Sequence, residues 1–157
     1  MGYEVGAKRN VTTHYGPRTT DGQYGGQESS KEGLLKTAEW DFSWSNLPVT
    51  GTTALTFKLP ANTIVQSALV YITTAWAGTS TPTMQVGLVG AATDPNGFVD
   101  EAQGTNALIL TKGAVITGAG VYIGKTVGTS DAAITVTAQT GAFTAGSAKL
   151  RITYAYN

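Results

Sequence analysis

From about Lys36 onward, short runs of apolar and polar residues alternate, and this pattern restricts the fold more than any other feature of the chain. Leu150 and Ile152, for example, fall on one side of an extended backbone and Arg151 on the other. A period of two is typical of a β-strand with one buried face. We therefore predict strands, and no helix, in eight segments: 40–44, 55–59, 65–76, 84–88, 107–110, 120–123, 132–138 and 148–156.

These short strands, separated by turns rich in glycine, predict an all-β fold, an antiparallel β-sandwich that is jelly-roll-like. Segment 65–76 is apolar on both faces, so we expect it centrally in a sheet or at a subunit interface. Trp44 should share the inner face of its strand, whereas Thr135 should lie opposite the core, where replacement by alanine would be near neutral. The predicted core comprises Trp40, Phe42, Phe57, Val70, Ile72, Val86, Ile134, Val136, Leu150 and Ile152.

The first 36 residues are different, because they are polar and hold nine of the twenty charged residues. Gly-Pro, Asp-Gly and Gly-Gly pairs in this stretch interrupt helices and strands. We predict an extended N-terminal arm at 1–36 and a β-sandwich domain at 37–157. A disordered tail is the alternative, but tyrosines and arginines in such a segment favour one that orders on a partner. The candidate partner-binding residues are Tyr3, Arg9, Tyr15, Arg18 and Tyr24.

Composition excludes several classes of protein. A chain of 157 residues with 41% hydrophobic and 13% charged residues suits one domain with its own core. Ten basic and ten acidic residues give no net charge, so we expect no binding to nucleic acid or to an anionic membrane. There is no cysteine for disulfides, thiolate catalysis or zinc. The N-terminal residues resemble no export signal, and no apolar run reaches the ~20 residues of a membrane-spanning helix.

Two motifs suggest ligands but are incomplete. Gly124-Lys125-Thr126 resembles the end of a phosphate-binding loop, yet the motif needs glycine at position 119, where the chain has alanine. Asp94, Asp100 and Glu101 are close in sequence but lack the dense acidic spacing of a calcium loop. We therefore expect ordinary turns at both places, with no cofactor and no metal.

Catalytic groups are equally sparse. His14 is the one histidine, and no carboxylate has a spacing that would orient it as a base. Glu39 and Asp41 lie about 7 Å apart on one strand face by the strand rise, a separation that simple alternation produces. The sequence therefore predicts a protein that is not an enzyme.

Tryptophans offer the main alternative to a protein-binding role. Trp40, Trp44 and Trp76 would stack on sugars if they lay together on an exposed face of the sandwich. If Trp40 and Trp44 instead alternate into the core with Phe42, this hypothesis loses its binding surface.

Several phrases resemble a known family. They are Leu-Pro-Ala-Asn-Thr-Ile-Val-Gln-Ser-Ala at 59–68, Thr-Thr-Ala-Trp at 73–76, Val-Gly at 86–87, and Thr-Ala-Gly-Ser-Ala-Lys-Leu-Arg-Ile-Thr-Tyr at 144–154. Over the last two-thirds of the chain they resemble small β-sandwich virion proteins of tailed bacteriophages. Within that group the size and build are most similar to capsid decoration or cement proteins.

This resemblance implies a non-enzymatic structural protein on the exterior of the capsid that bridges neighbouring copies of the major capsid protein. It also implies protein–protein interaction, and we expect self-association into a homo-oligomer. The alternatives are tail or fibre attachment, and a carbohydrate-binding or receptor-binding β module.

Overall fold

The computed structural model describes residues 10–15, 26–31, 35–47, 51–79, 82–90, 93–100, 104, 106–139 and 141–155. In this part of the chain the strands are β1 (Asn10–Tyr15), β2 (Gly26–Lys31), β3 (Leu35–Ser43), β4 (Gly51–Leu59), β5 (Ile64–Gly78), β6 (Thr83–Val89), β7 (Asp94–Val99), β8 (Val115–Thr117), β9 (Ala132–Gln139) and β10 (Phe143–Ala155). Two short helical elements accompany them, a 3-10 turn at Trp44–Asn46 and α1 at Asn106–Ile109.

The strands form two antiparallel sheets. The larger sheet has the order β1-β2-β3-β10-β5-β8, and the smaller has the order β4-β9-β6-β7. Paired strands come from distant parts of the chain, since β10 lies between β3 and β5. The predicted all-β antiparallel sandwich is confirmed.

The core lies between the two sheets and follows the predicted alternation. In the larger sheet, Trp40, Leu150, Val70 and Ile116 form one row across four strands, and all four are buried. Nine of the ten predicted core residues are buried; they are Trp40, Phe42, Val70, Ile72, Val86, Ile134, Val136, Leu150 and Ile152. The side chain of Phe57 lies outside the described part. Burying an aliphatic or aromatic side chain contributes about 1.5–3 kcal/mol, so this layer is the main source of stability.

Segment 65–76 is part of β5, which lies between β10 and β8. This is the internal position that its double-sided apolar pattern predicts. On the outer face, however, Leu69 and Tyr71 are only half-buried, because no second layer covers them in the described residues.

Two of the predicted strands are wrong. Segment 107–110 forms most of α1 and its following turn, in which Ile109 is buried and Leu108 and Leu110 are exposed. A short apolar run of this kind fits either a helix or a strand. Segment 120–123 is a turn against β7, with the Gly120 amide donating to the Phe98 carbonyl at 3.0 Å.

The predicted direction of Trp44 is wrong, whereas Thr135 has its predicted direction but is buried. Trp44 leaves the inner face because β3 ends at Ser43, whose backbone amide donates to Asn46 Oδ1 at 3.1 Å, and the chain turns there. Thr135 lies opposite the core side chains of β9 as predicted, yet it is only 2% exposed. Its cross-strand neighbour is Gly87, and the backbone of Asp94 lies directly over that glycine.

The N-terminal strands extend the larger sheet. The backbone of β2 pairs with β3 from Gly26 opposite Trp40 to Ser30 opposite Lys36, and β1 pairs with β2. Part of the segment that we predict to be an arm is therefore placed as a hairpin beside the body. The division of the chain at residue 36 stays a prediction.

Candidate functional site

The outer face of the larger sheet carries the most organised polar cluster in the described residues. Strand alternation turns Lys149 and Arg151 outward because their neighbours Leu150 and Ile152 point into the core. Cross-strand pairing then forms two rows, one of Asp41, Lys149, Tyr71 and Val115, and one of Glu39, Arg151, Leu69 and Thr117. We call these eight residues the outer-face cluster. The predicted direction of Arg151 and the predicted common strand face of Glu39 and Asp41 are confirmed.

Ion pairs join the two charged strands of the cluster. Arg151 Nε lies 2.5 Å from Glu39 Oε1, and Lys149 Nζ lies 3.8 Å from both Glu39 Oε2 and Asp41 Oδ1. The side chains are 27–67% exposed, so each pair contributes at most about 0.2–1 kcal/mol. The pairs thus matter more for the positions of these side chains than for the stability of the fold.

Tyr71 of β5 also holds the Arg151 side chain in place. Its guanidinium carbon lies 5.3 Å from the centre of the Tyr71 ring, within cation–π range, and Nη1 donates to the Tyr71 hydroxyl at 3.4 Å. The hydrogen bond to Glu39 raises the pKa of Arg151, and desolvation partly opposes that shift, so the side chain remains charged. Arginine and tyrosine held in a fixed geometry are the residues that most often anchor protein interfaces.

Hydroxyl pairs border the cluster along the strands. Thr37 and Thr153 lie 3.5 Å apart between their Oγ1 atoms, and Thr73 Oγ1 lies 2.8 Å from Ser147 Oγ. The face therefore has a charged and aromatic centre with a neutral polar border, which can bind a protein surface by hydrogen bonds and packing.

The tryptophans do not form the shared platform that a sugar-binding site would need. Trp40 and Trp76 are buried, and Trp76 packs between Phe42 and Phe143 with ring centres 5.8 and 4.6 Å apart. Trp44 is 45% exposed in the 3-10 turn. Two of the three rings therefore cannot reach a ligand without unfolding of the core.

The backbone around Gly124-Lys125-Thr126 is occupied by the protein itself. The Gly124 amide donates to the Val65 carbonyl at 2.7 Å, and the Lys125 amide donates to the Tyr122 carbonyl at 3.2 Å. A phosphate-binding loop needs such amides free to face the phosphate oxygens. This segment is instead a structural turn beside β5.

Of the three acidic residues at 94–101, the structure describes Asp94 and Asp100 but not Glu101. Residues 94–99 form β7 rather than the turn that the sequence predicts there, and within this strand Asp94 Oδ1 accepts a hydrogen bond from the Asn96 amide at 3.2 Å. Across the residues with described structure, no three or more His, Cys, Asp or Glu side chains group closely enough to hold a metal ion. Likewise, no helix in this part of the chain is long and apolar enough to cross a membrane.

Most of the predicted partner-binding residues are not among the residues that the structure describes. Tyr3, Arg9, Arg18 and Tyr24 lie outside the described residues. Tyr15 is the last residue of β1, with its backbone opposite Gly26, and its side chain is not among those described. These five residues stay predictions, and the structure assigns the outer-face cluster as a further candidate.

Sequence reasoning missed most of this cluster as a functional surface. Alternation places Glu39 and Asp41 on one strand face and Arg151 on an outward face, but it does not predict that these side chains form one surface. Alternation gives the face on which each residue lies, but only the pairing of β3, β10 and β5 brings Glu39, Arg151 and Tyr71 together.

Comparison with known proteins adds information about the fold. No protein-family model and no curated protein matches the sequence. Among solved structures, a chain in the acidic stable capsid of Helicobacter pylori bacteriophage KHP30 matches with a TM-score of 0.51 and 18% identity, covering 93% of this protein and 92% of that chain. The protein shares its fold with phage capsid chains.

Two further matches agree. A chain in the capsid of Ralstonia phage GP4 gives a TM-score of 0.56 at 19% identity, covering 80% of this protein and 86% of that chain. A chain in the cyanophage Pam1 capsid asymmetric unit matches with a TM-score of 0.54 at 17% identity, covering 78% of this protein and 85% of that chain. At these identities the matches establish a common fold.

Proposed function

We propose that this protein is a non-enzymatic structural component of a phage virion, which decorates or cements the exterior of the capsid by bridging neighbouring major capsid subunits. The observation that carries the proposal is the fold shared with capsid chains over most of both chains. Because coverage is high in both directions, the matched chains are similar in length to this protein. Small size and an all-β fold shared with capsid chains fit a decoration protein.

Strand order supports the jelly-roll part of this proposal. When β1 and β2 are set aside, the larger sheet has the order β3-β10-β5-β8 and the smaller has β4-β9-β6-β7. Successive strands cross between the sheets except at β6 and β7, a connectivity that fits two interlocked Greek keys. Jelly rolls of this kind occur widely in viral capsid proteins.

The outer-face cluster is the proposed contact with the shell. Arg151, Tyr71 and Glu39 are held in place before binding, so little side-chain entropy is lost when a partner docks on them. The chain has no net charge, and attachment would therefore depend on close contact rather than on long-range attraction. The predicted arm at 1–36 would supply a second, linked contact.

Intact particles test the proposal directly. Cryo-electron microscopy of particles with and without the protein should show its density on the outside of the head, and particles without it should lose their genome at a lower temperature. Density confined to the tail or fibres would overturn the capsid proposal in favour of an attachment role. Equal heat stability would overturn the cementing role.

Matched variants test the proposed contact surface. Arg151→Ala and Tyr71→Ala should each weaken binding of the purified protein to bare shells by about tenfold or more, the usual loss at an interface anchor. Lys58→Ala removes an exposed lysine of β4 in the other sheet and should leave binding unchanged. Equal losses in all three variants, with unchanged melting temperatures, would exclude the outer-face cluster as the contact.

A further inference from the structure

β8 is an open edge of the larger sheet. It pairs with β5 on one side, and no other strand in the described part of the chain pairs with it on the other. The Ile72 amide donates to Ala114 and the Gly118 amide donates to Ala68, so even-numbered residues bond inward to β5. Because bonding alternates along an antiparallel strand, Val115 and Thr117 direct their N–H and C=O groups outward.

This edge lacks the usual protection against pairing. Exposed edge strands are normally guarded by charged residues, proline or a covering element. Between positions 106 and 124 the sequence has one charged residue, Lys112, and no proline. By contrast, the edge at β7 is covered by the turn at 120–123, where the Tyr122 amide donates to the Gly97 carbonyl at 2.9 Å.

Exposed apolar side chains are concentrated around the same edge. Of the seven large apolar residues that are exposed in the described structure, four lie between positions 108 and 121; they are Leu108, Leu110, Val115 and Val121. Val115 is in β8, Leu108 is in α1, and Leu110 and Val121 lie in the turns before and after β8. A clustered apolar surface beside an unpaired edge marks a site of association.

We propose that β8 is a dimerisation edge, where it pairs antiparallel with β8 of a second copy of this chain about a twofold axis through Ile116. In that arrangement Val115 of each copy faces Thr117 of the other, and each such pair exchanges both backbone hydrogen bonds. The outward donors and acceptors of one copy therefore match those of its partner.

Apolar side chains and charge also suit a twofold pairing. Because the two β8 strands run in opposite directions, the segment before β8, with Leu108 of α1 and Leu110, approaches the turn after β8 of the partner, with Val121. Lys112 of each copy lies beyond the paired residues, toward opposite ends of the interface, which limits repulsion between like charges. Three paired residues alone bury too little surface for a stable dimer, and these flanking side chains supply the additional contact.

The dimer would join the two larger sheets into one continuous sheet. On the outer face, the row ending in Val115 would continue into the partner's row ending in Thr117, so that two outer-face clusters face the same side. Two such clusters on one rigid body would bind a repetitive surface with linked contacts. The dimerisation inference itself does not depend on the proposed capsid role.

Sedimentation equilibrium of the full-length protein tests this inference. The wild type should dimerise with increasing concentration, while Val115→Lys and Thr117→Pro should weaken dimerisation by about tenfold or more. Proline at 117 removes an outward N–H and leaves the bonds to β5 intact. Val89→Lys places the same charge on an exposed valine of β6, away from the edge, and should dimerise as the wild type does.

Amide exchange gives a second measurement on the unmodified chain. The amides of Val115 and Thr117 should exchange more slowly at concentrations where the dimer forms, whereas the already bonded amide of Gly118 should change little. This measurement applies even if a variant fails to fold.

A monomeric wild type at all accessible concentrations would overturn the inference, and so would a dimer that both β8 variants leave intact. If the wild type is monomeric but the amides of Val115 and Thr117 become protected from exchange when the protein is bound to shells, the edge takes a strand from the shell, and the second copy is excluded. Shell binding is measured separately, so the failure of dimerisation and the failure of the capsid role are distinguishable.

Discussion

Gly146, the single glycine of β10, should not tolerate a side chain. Its φ of +121° is a conformation that residues with a Cβ rarely adopt, and it lies where the β5–β10 register shifts. An added Cβ would lie 2.5 Å from Trp76 Cδ2 and 2.7 Å from Trp76 Cα. Trp76 cannot move aside, because it is buried against Phe42 and Phe143. Gly146→Ala therefore combines backbone strain with a steric clash.

The expected cost follows from these two effects. Strain of this kind costs about 1–3 kcal/mol, and forced repacking of a full core costs about 1–3 kcal/mol. The sum of about 2–6 kcal/mol is a large fraction of the 5–15 kcal/mol typical of a domain. For a chain of this size it lowers the melting temperature by roughly 5–20 °C. Urea unfolding followed by tryptophan fluorescence measures the loss, since Trp40 and Trp76 are buried in the folded state.

Gly113→Ala is the matched control. Gly113 has a positive φ of +84°, but an added Cβ would meet nothing within 4 Å. This variant carries backbone strain alone and should cost about 1–2 kcal/mol. If both variants lost equal stability, or if Gly146→Ala lost less, contact with Trp76 would not be what requires glycine at position 146.

Two further predictions concern strand faces. Ile152→Ala should destabilise the protein by about 2–4 kcal/mol because Ile152 is fully buried. Thr153→Ala changes the next residue, which is half-exposed, and should alter the free energy of unfolding by less than about 0.5 kcal/mol. If urea unfolding showed the larger loss for Thr153→Ala, the register of β10 would be wrong. Thr135→Val should stabilise the protein by about 1 kcal/mol, because Thr135 Oγ1 is buried without a hydrogen-bond partner among the described residues and valine keeps the side-chain shape. A loss of stability in thermal unfolding would show that the hydroxyl has a partner, such as an ordered water.

Alternation was sufficient to predict most strands and the direction of their side chains. The alternation within residues 148–155 alone predicts that Leu150 and Ile152 lie in the core and Arg151 on the surface, because successive side chains of an extended chain point to opposite faces. The pattern failed where tertiary contacts decide the local conformation. The run at 107–110 became a short helix, and the segment at 120–123 forms a turn whose amides bond to carbonyls of β7.

The candidate surfaces could be predicted only in part. The outward position of Arg151 follows from the sequence, but its contacts with Glu39 and Tyr71 require three strands that are far apart in the chain to become neighbours. The open edge at β8 was not predicted at all, although Val-Ile-Thr is a β-branched triplet that favours a strand. Whether a strand is internal or at an edge depends on which other strands pair with it.

The class of fold, the core residues and the absence of cysteine chemistry follow from the amino-acid sequence alone, because they depend on composition and on a period of two. The order of strands, the burial of Thr135 and Trp76, the outer-face cluster and the open edge follow from the folded arrangement. Each of these depends on contacts between distant segments, and such contacts are selected by the packing of the whole sandwich rather than by any local pattern.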